Sequence, residues 1–455
     1  MKKARGEQAN EILSVAGIEE RPTDELQPYV GNARTHSRRQ IKQIADSIRT
    51  FGFTNPVLIA EDGTILAGHG RVLAARQLGM THVPTLRLSH LTPAQRRAYV
   101  LADNKLAMNA GWDQELLAIE LQGLLDLDFD LEVTGFSLAE VDLVLDAASD
   151  RDPKRAETPA DVIPPLPDRA ITRRGDVWLC GRHRLVCGDA RETQDYALLV
   201  GNEPVGMIFT DPPYNVPIDG HVCGLGRVRH REFAMGAGEM SEAAFIAFLT
   251  DTLGTAAGKC RDGAIVFVCM DWRHIGELLA AGRQVFTELK NVCVWNKTNG
   301  GMGSFYRSKH ELICVFKIGT APHVNSFGLG ETGRYRTNVW DYAGINSFGA
   351  GRDADLAMHP TVKPVALVVD AIRDCSRRGD TVLDPFGGSG TTLIAAEKVG
   401  RNARLLELDP AYCDTIVRRW QTITGKHATL LETAERFEDV EAYRTTDPTE
   451  GLEVA

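Results

Sequence analysis

Apolar residues change their period repeatedly along this chain. "RRQIKQIADSIRTFG", from Arg38 to Gly52, spaces them helically and closes on a glycine, which predicts an amphipathic helix. "PVLIAEDGTILAG" sets two short apolar runs on either side of Asp62-Gly63 and predicts a β-hairpin. "HGRVLAARQLG" returns to helical spacing with Gly79 as its stop, and "HVPTLRL" reads as another strand. Residues 24–90 therefore read as a small α/β domain, preceded by a tail over 1–23. From 91 to 146 Leu and Ala recur with helical period, which predicts a helical region. Residues 147–174 mix prolines with both charge signs and carry no period, so they read as a linker.

Beyond Gly175 the pattern is different. Short strand-like runs, "GMIFT", "AIVFVCM", "NVCVW", "ELICVF", "DTVLD" and "RLLELD", alternate with helical segments. Such alternation predicts an α/β fold with a mostly parallel, doubly wound sheet over residues 175–433. The polar, acidic stretch 434–455 is expected to fray.

Composition narrows the class without naming it. The 455 residues are 43% hydrophobic and 25% charged, which is globular, and the formal net charge of -10 excludes a polycation whose whole surface binds nucleic acid. A local basic groove stays possible on an acidic molecule. No apolar run reaches membrane-spanning length, and "MKKARGEQANEIL" has no apolar signal core, so a soluble cytoplasmic protein with no membrane partner is expected. The nine cysteines show no C-x-x-C spacing, and several sit in apolar runs, so neither disulfides nor a metal site are expected.

Two stretches carry chemistry. In "TVLDPFGGSGTTLIAAEKVGRNARLLELDP" a strand ends at Asp384, the loop Phe386-Gly387-Gly388-Ser389-Gly390 follows, and a helix opens at Thr391. Glycines let a ligand approach the backbone, and a helix N-terminus presents free N–H groups. Glu407 follows seventeen residues after Gly390, where nucleoside-binding sheets place an acid for ribose hydroxyls. A P-loop would need a Lys before Thr391, and a dinucleotide site would need a glycine where Leu393 stands. A glycine turn that merely packs helix on strand is the plain structural alternative.

The second stretch is "IFTDPPYNVP", an apolar run ending in Asp211-Pro212-Pro213-Tyr214. Together with "DPFGGSGTT" and with "HPTVKP" (359–364), it resembles the paired motifs of S-adenosylmethionine-dependent DNA amino-methyltransferases. The order, with the DPPY corner first and the glycine loop last, is similar to the permuted beta class. The resemblance implies a Rossmann-like methyltransferase sheet, S-adenosyl-L-methionine as cofactor and double-stranded DNA as partner, with the target base flipped out. It leaves open a homodimer and a partner restriction enzyme. By the same resemblance, Asp211, Pro212, Pro213 and Tyr214 form the catalytic corner. Phe386 to Gly390 with Thr391 line the cofactor, Asp384 and Asp189 border it, Glu407 holds its ribose, and Thr361 and Lys363 lie near its methionine carboxylate.

An exocyclic amine is a poor nucleophile because its lone pair is delocalised into the ring. A carboxylate on Asp211 and the Pro212 carbonyl can accept its two N–H hydrogens and aim the lone pair, while the prolines restrict the backbone. Tyr214 can stack on the extruded base. Aspartate at the first position of the corner favours N6 of adenine over N4 of cytosine by the habit of the family.

The insert over about 220–345 interleaves Arg227, Arg229, Arg231, Lys290, Lys297, Arg307, Lys309, Arg334 and Arg336 with Trp295, Phe305, Tyr306, Tyr335 and Trp340. Basic and aromatic residues together suit phosphate contact and base stacking, so target recognition is expected here. The N-terminal unit resembles the ParB/sulfiredoxin-like domain, with a G-x-x-R turn at Gly68-His69-Gly70-Arg71. His69 and Gly70 depart from the glutamate and arginine that bind a nucleotide triphosphate in ParB proteins, and Arg71 at a helix start can hold an anion. The whole implies a modification enzyme of a phage, prophage or bacterium. Against it stand a ParB-like regulator with a non-catalytic methyltransferase half, and a glutamine methyltransferase, whose corner carries asparagine and whose glycine loop comes first.

Overall fold

Capping and turn chemistry set the N-terminal elements. The computed structural model describes residues 17–127, 129–149, 162–167, 169–215, 238–297, 306–327, 336–343 and 362–446. Two compact units divide the chain, Met1–Arg151 and Asp152–Ala455.

In the first unit the order is β1 (Glu19–Pro22), α1 (Arg38–Phe51), β2 (Val57–Ile59), β3 (Ile65–Ala67), α2 (His69–Gln77), β4 (His82–Arg87), α3 (Pro93–Met108), α4 (Gln114–Asp126) and α5 (Leu138–Ser149). Ser37 caps α1 by accepting from the Gln40 amide, and Gly52, at φ 82°, ends it. The hairpin turns at Gly63, at φ 80°, where the Thr64 amide donates to Asp62 Oδ1 at 3.0 Å. The sheet order is β1-β4-β2-β3. β1, the sequence "EERP", has no apolar pattern; it pairs antiparallel with β4 at the sheet edge, where polar residues are tolerated. Leu26, Val57, Ile59, Val72 and Val83 pack as the core.

The second unit continues with β5 (Val177–Cys180), β6 (His183–Cys187), α6 (Thr193–Val200), β7 (Val205–Thr210), α7 (Glu242–Ala257), β8 (Cys260–Met270), α8 (Ile275–Val285), β9 (Glu288–Asn296), β10 (His310–Lys317) and β11 (Val339–Asp341). It ends with α9 (Val365–Cys375), β12 (Thr381–Asp384), α10 (Thr391–Val399), β13 (Asn402–Glu407), α11 (Pro410–Thr424), β14 (Thr429–Leu430) and α12 (Phe437–Thr446). One sheet runs β11-β9-β10-β8-β7-β12-β13-β6-β5-β14. Its centre, β8-β7-β12-β13-β6, is parallel, while β10 is antiparallel to both β8 and β9, and β5 is antiparallel to both β6 and β14. With β11 parallel to β9, five of the nine pairings are parallel: the doubly wound centre is as expected, and antiparallel strands at both flanks make the whole sheet mixed.

Every residue of β7 and β12 is buried, as expected for strands covered on both faces. Met207 and Phe209 enter the core built with α9, α10 and α11, and Ile208 enters the core built with α7 and α8. Between β7 and β12 the chain reverses its winding direction: β8 follows on one side of β7, and β13 follows on the far side of β12. A doubly wound sheet opens a crevice at the carboxyl ends of such a pair. No described helix is long and apolar enough to cross a membrane, and the described cysteines are free thiols, mostly buried.

Two expectations need correction. The end of the segment read as linker is part of the second unit: the Ile171 and Thr172 amides donate to Asp414 at 2.6 and 2.9 Å, and both residues are buried. The stretch expected to fray forms α12 in its first half. Phe437 and Val440, one turn apart, are buried, and the Phe437 ring meets Trp178 edge-on at 5.0 Å. Two apolar side chains and the Arg444–Asp176 ion pair at 2.5 Å suffice to dock a short polar helix. Phe437→Ala is accordingly expected to destabilise the second unit by about 3 kcal/mol in urea unfolding, and an unchanged midpoint would show that α12 is not docked.

Candidate active site

β7 delivers Asp211 to the carboxyl edge of the sheet, and the corner Asp211-Pro212-Pro213-Tyr214 turns away at Asn215, one of few described non-glycine residues in the left-handed region, at φ 53°. Asparagine tolerates that conformation. Its side chain is anchored both ways on Met240, donating to the carbonyl at 2.8 Å and accepting from the amide at 3.1 Å. The corner is thereby tied to the start of α7.

Asp211 is held on both oxygens. Tyr214 donates its hydroxyl to Oδ1 at 2.6 Å, and Lys363 donates Nζ to Oδ2 at 2.5 Å. Lys363 also reaches Tyr214 Oη and Glu311 Oε2, each at 3.0 Å, and Glu311 Oε1 accepts from Lys297. The Lys363 and Glu311 side chains are 4% and 9% exposed, whereas that of Asp211 keeps 25%. Each carboxylate oxygen has a second lone pair, so Asp211 can still accept from an incoming N–H group.

The charges shape one another's proton affinity. Burial raises the Asp211 carboxyl above its ordinary range; Lys363 opposes this and Glu311 adds to it. Burial also pushes Glu311 upward, but Lys363 and Lys297 outweigh it and hold Glu311 low. Burial disfavours the Lys363 charge, and Asp211 and Glu311 overcome that, so its ammonium is retained. The buried Lys363 cation and Glu311 anion are stable only because each is paired.

Across the crevice, Asp384 ends β12. Its Oδ1 accepts from Thr210 Oγ1 at 2.9 Å and the Phe386 amide at 3.1 Å, and its Oδ2 accepts from Thr392 Oγ1 at 2.6 Å. Burial pushes it up to about 7, against those three donors. The loop then runs tightly: Gly387 donates its amide to Leu406 O at 2.8 Å, and Gly390 donates to Gly387 O at 2.8 Å. A Cβ on Gly390, at φ 81°, would stand 3.0 Å from Ile416, so that glycine is needed for packing. Gly388, at φ 51°, faces open space instead: the nearest heavy atom to a Cβ there is Phe386 O at 4.0 Å.

Glu407 ends β13 beside Gly388, whose amide donates to Oε2 at 2.7 Å, while the Asp409 amide donates to Oε1 at 2.9 Å. Burial pushes it up to about 7 against those two amides. Ser389 and Thr391 turn inward, bonded to each other at 3.2 Å, with Arg419 of α11 donating to the Ser389 carbonyl at 2.8 Å. The Phe386 ring lies 6.0 Å from Phe248. Asp189 follows β6 on the same sheet edge, gripped by Arg191 Nη2 at 2.7 Å, which holds its carboxyl below the usual range.

The sheet thus gathers Asp189, Asp211, Asp384, Phe386 to Gly390 and Glu407 along one edge. Lys363, which the family resemblance associates with the methionine carboxylate, has its ammonium on Asp211 and Glu311. Thr361 lies outside the described residues, as do Arg227, Arg229, Arg231, Phe305, Arg334 and Tyr335. Trp295 and Trp340 are core residues, 2% and 4% exposed, with indole N–H groups donating to Tyr342 O and Thr337 O. Arg336 is paired with Asp374 and Asp370. Trp295 and Trp340 bond within the insert and Arg336 ties it to α9, so these three are packed inward, whereas Tyr306 is 85% exposed. Glu311, Asn215, Arg191 and Arg419 did not stand out in the sequence, although an acid opening the apolar run "ELICVF" was a usable signal for Glu311.

In the first unit, Gly68 adopts φ 97° at the start of α2. His69 Nε2 accepts from the Tyr29 amide at 3.2 Å, which gives that histidine a structural task.

Residues 205–418 match the family described as DNA methylase, residues 5–104 match the ParB N-terminal domain, and residues 115–174 match the ParB-methyltransferase HTH domain. The chain is 57% identical over 77 residues, 17% of its own length and 88% of the relative, to the ParB-like nuclease domain-containing protein YnaK of Escherichia coli (strain K12). It is 24% identical over 227 residues, 48% of its length and 82% of the relative, to the type II methyltransferase M2.MboI of Moraxella bovis. Among solved structures, the M1.HpyAVI–SAM complex is similar with a TM-score of 0.37 and 21% identity, over 52% of this chain and 98% of that one. Residues 205–418 thus form a DNA methyltransferase domain of the N6/N4 type, and a ParB N-terminal domain precedes it in the same chain.

Proposed function

We propose that the protein is a site-specific DNA methyltransferase that uses S-adenosyl-L-methionine to methylate the N6 amine of adenine in double-stranded DNA, with the target base flipped out of the helix. The observation that carries this reading is the placement of the Asp211 corner and the glycine loop at the ends of adjacent parallel strands, with the Asp211 carboxylate a quarter exposed. An acceptor for amine hydrogens and a cradle for a nucleoside thus share one crevice.

The chain's residues fit the cofactor. The open face at Gly388 leaves room beside the Glu407 carboxylate, and a half-buried acid at a strand end suits ribose hydroxyls. Gly387, Gly388 and Glu407 would hold its nucleoside, with Phe386 against it. When bound, the cofactor supplies an electrophilic sulfonium methyl to the amine nitrogen.

Everything else is done by side chains and backbone. Asp211 and the Pro212 carbonyl accept the two amine hydrogens and turn the nitrogen lone pair out of conjugation with the ring. As the nitrogen becomes cationic in the transition state, the Asp211 carboxylate stabilises it. Tyr214 and Lys363 keep that carboxylate from rotating, and the base-stacking role implied for the Tyr214 ring adds to this. The carboxylate at the first position of the corner supports adenine over cytosine.

Incubation with methyl-labelled S-adenosylmethionine and unmethylated DNA, followed by nucleoside analysis, is expected to yield N6-methyladenine; N4-methylcytosine would correct the base, and unlabelled DNA would remove the reading. Asp211→Ala is expected to lower methyl transfer by about 10³-fold or more, the scale of losing a main electrostatic stabiliser, while calorimetric binding of the cofactor persists. Glu407 sets a pH dependence. Its carboxyl titrates at about 7 without ligand, and ribose hydroxyls favour the ionised form, so binding below that pH must first remove a proton. Cofactor affinity should therefore fall by roughly tenfold from about pH 8 to about pH 6, a slope that Glu407→Gln should lack in titration calorimetry.

A further inference from the structure

Four charges of alternating sign run in a row from the corner: Asp211, Lys363, Glu311 and Lys297, with the middle two buried. The ammonium of Lys363 bridges two carboxylates, at 2.5 Å from Asp211 and 3.0 Å from Glu311, and Glu311 is fixed on its other oxygen by Lys297. Lys297 in turn lies over the Trp295 ring at 4.5 Å. Glu311 is the second residue of β10, buried just ahead of the apolar run Leu312–Phe316.

Topology puts it there. β10 runs antiparallel to β8, so its beginning, not its end, reaches the edge where β7 and β8 finish; Leu312 pairs with Met270, the last residue of β8. β9 runs antiparallel to β10, so its end reaches the same edge, where His310 pairs with Asn296 and Lys297 follows. The reversed strand β10 and its neighbour β9 supply one anion and one cation behind the corner.

We propose that Glu311 is a positioning residue: by sharing the Lys363 ammonium with Asp211, it keeps that ammonium seated without letting it neutralise Asp211, so the carboxylate stays a strong acceptor for the substrate amine. This rests on the reading of Asp211 as the amine acceptor. A lone buried Lys–Asp pair would place the full cation on the catalytic oxygen and compete with the amine for it. With a second anion on the far side, the ammonium is divided between them, and Lys297 sets how strongly Glu311 pulls.

The groups facing Asp211 are Lys363, Glu311 on β10, Tyr214 on its own corner, Cys269 on β8 and Asp384 on β12. Of these, Lys363 lowers its proton affinity and Glu311 raises it. Removing the Glu311 charge must therefore move the acid limb of the rate profile to lower pH. Removing the Lys297 charge lets Glu311 draw Lys363 away from Asp211, and must move the same limb to higher pH.

The test is the pH profile of single-turnover methyl transfer by the full chain at saturating cofactor and DNA, for wild type, Glu311→Gln, Lys297→Gln and Asp211→Ala. Glu311→Gln should shift the acid limb down by about one pH unit and lower the plateau by about tenfold, with KM for DNA unchanged. Lys297→Gln should shift the limb upward. Opposite shifts are a result that mere loosening of the fold does not produce. Profiles of both variants that coincide with wild type, while Asp211→Ala is inactive, would overturn the role of Glu311 alone. Turnover by Asp211→Ala would instead remove the acceptor reading beneath it. Should Glu311→Gln fail to fold, the direction of the Lys297→Gln shift decides.

Discussion

The carboxylate of Asp384 is the constraint on which the crevice depends. It binds Thr210 at the end of β7, the Phe386 amide in the loop, and Thr392 in the first turn of α10. One buried side chain thus fastens the strand that carries the catalytic corner to the strand and helix that carry the glycine loop. Three donors to a carboxyl that burial pushes up to about 7 leave little acceptor capacity for a ligand. Asp384 shapes the site by holding its two halves together.

From that junction the remaining chemistry follows by strand order. Parallel neighbours end on the same edge, so Asp189, Asp211 and Glu407 arrive there from β6, β7 and β13 without any loop having to carry them far. Each acid is then tuned by different company. Asp189 meets a guanidinium and is held low; Glu407 meets two backbone amides and stays high; Asp211 meets a cation and an anion together. Three carboxyls on one sheet edge are thereby given different proton affinities by their neighbours.

Much of this was legible in the residues. The hairpin at Asp62-Gly63, the corner at Asp211 and the loop at Gly387 to Gly390 are written in local turn chemistry, which acts over a few positions and survives in a linear pattern. What escaped has a common physical cause. β1 is held by backbone pairing to β4, which leaves polar side chains free, so "EERP" carries no strand period. α12 buries only two of its described apolar side chains, Phe437 and Val440, too few for a helical stripe to emerge. Trp295, Trp340 and Arg336 looked like a nucleic-acid surface because composition does not distinguish an aromatic facing solvent from one packed between strands.

Lys363 and Glu311 show the limit most clearly. A motif assigns a residue type to a site, but the charge it faces is set by which strands run which way. A sheet parallel throughout would bring only strand ends to the edge that carries Asp211, and Glu311, at the start of β10, would lie at the opposite end of the strands. The antiparallel insertion of β10 between β8 and β9 reverses that, one strand removed from the β7–β12 pair that forms the crevice. The mixed character of the sheet is therefore a chemical feature as much as an architectural one: it is what places a second carboxylate within reach of the lysine that grips Asp211.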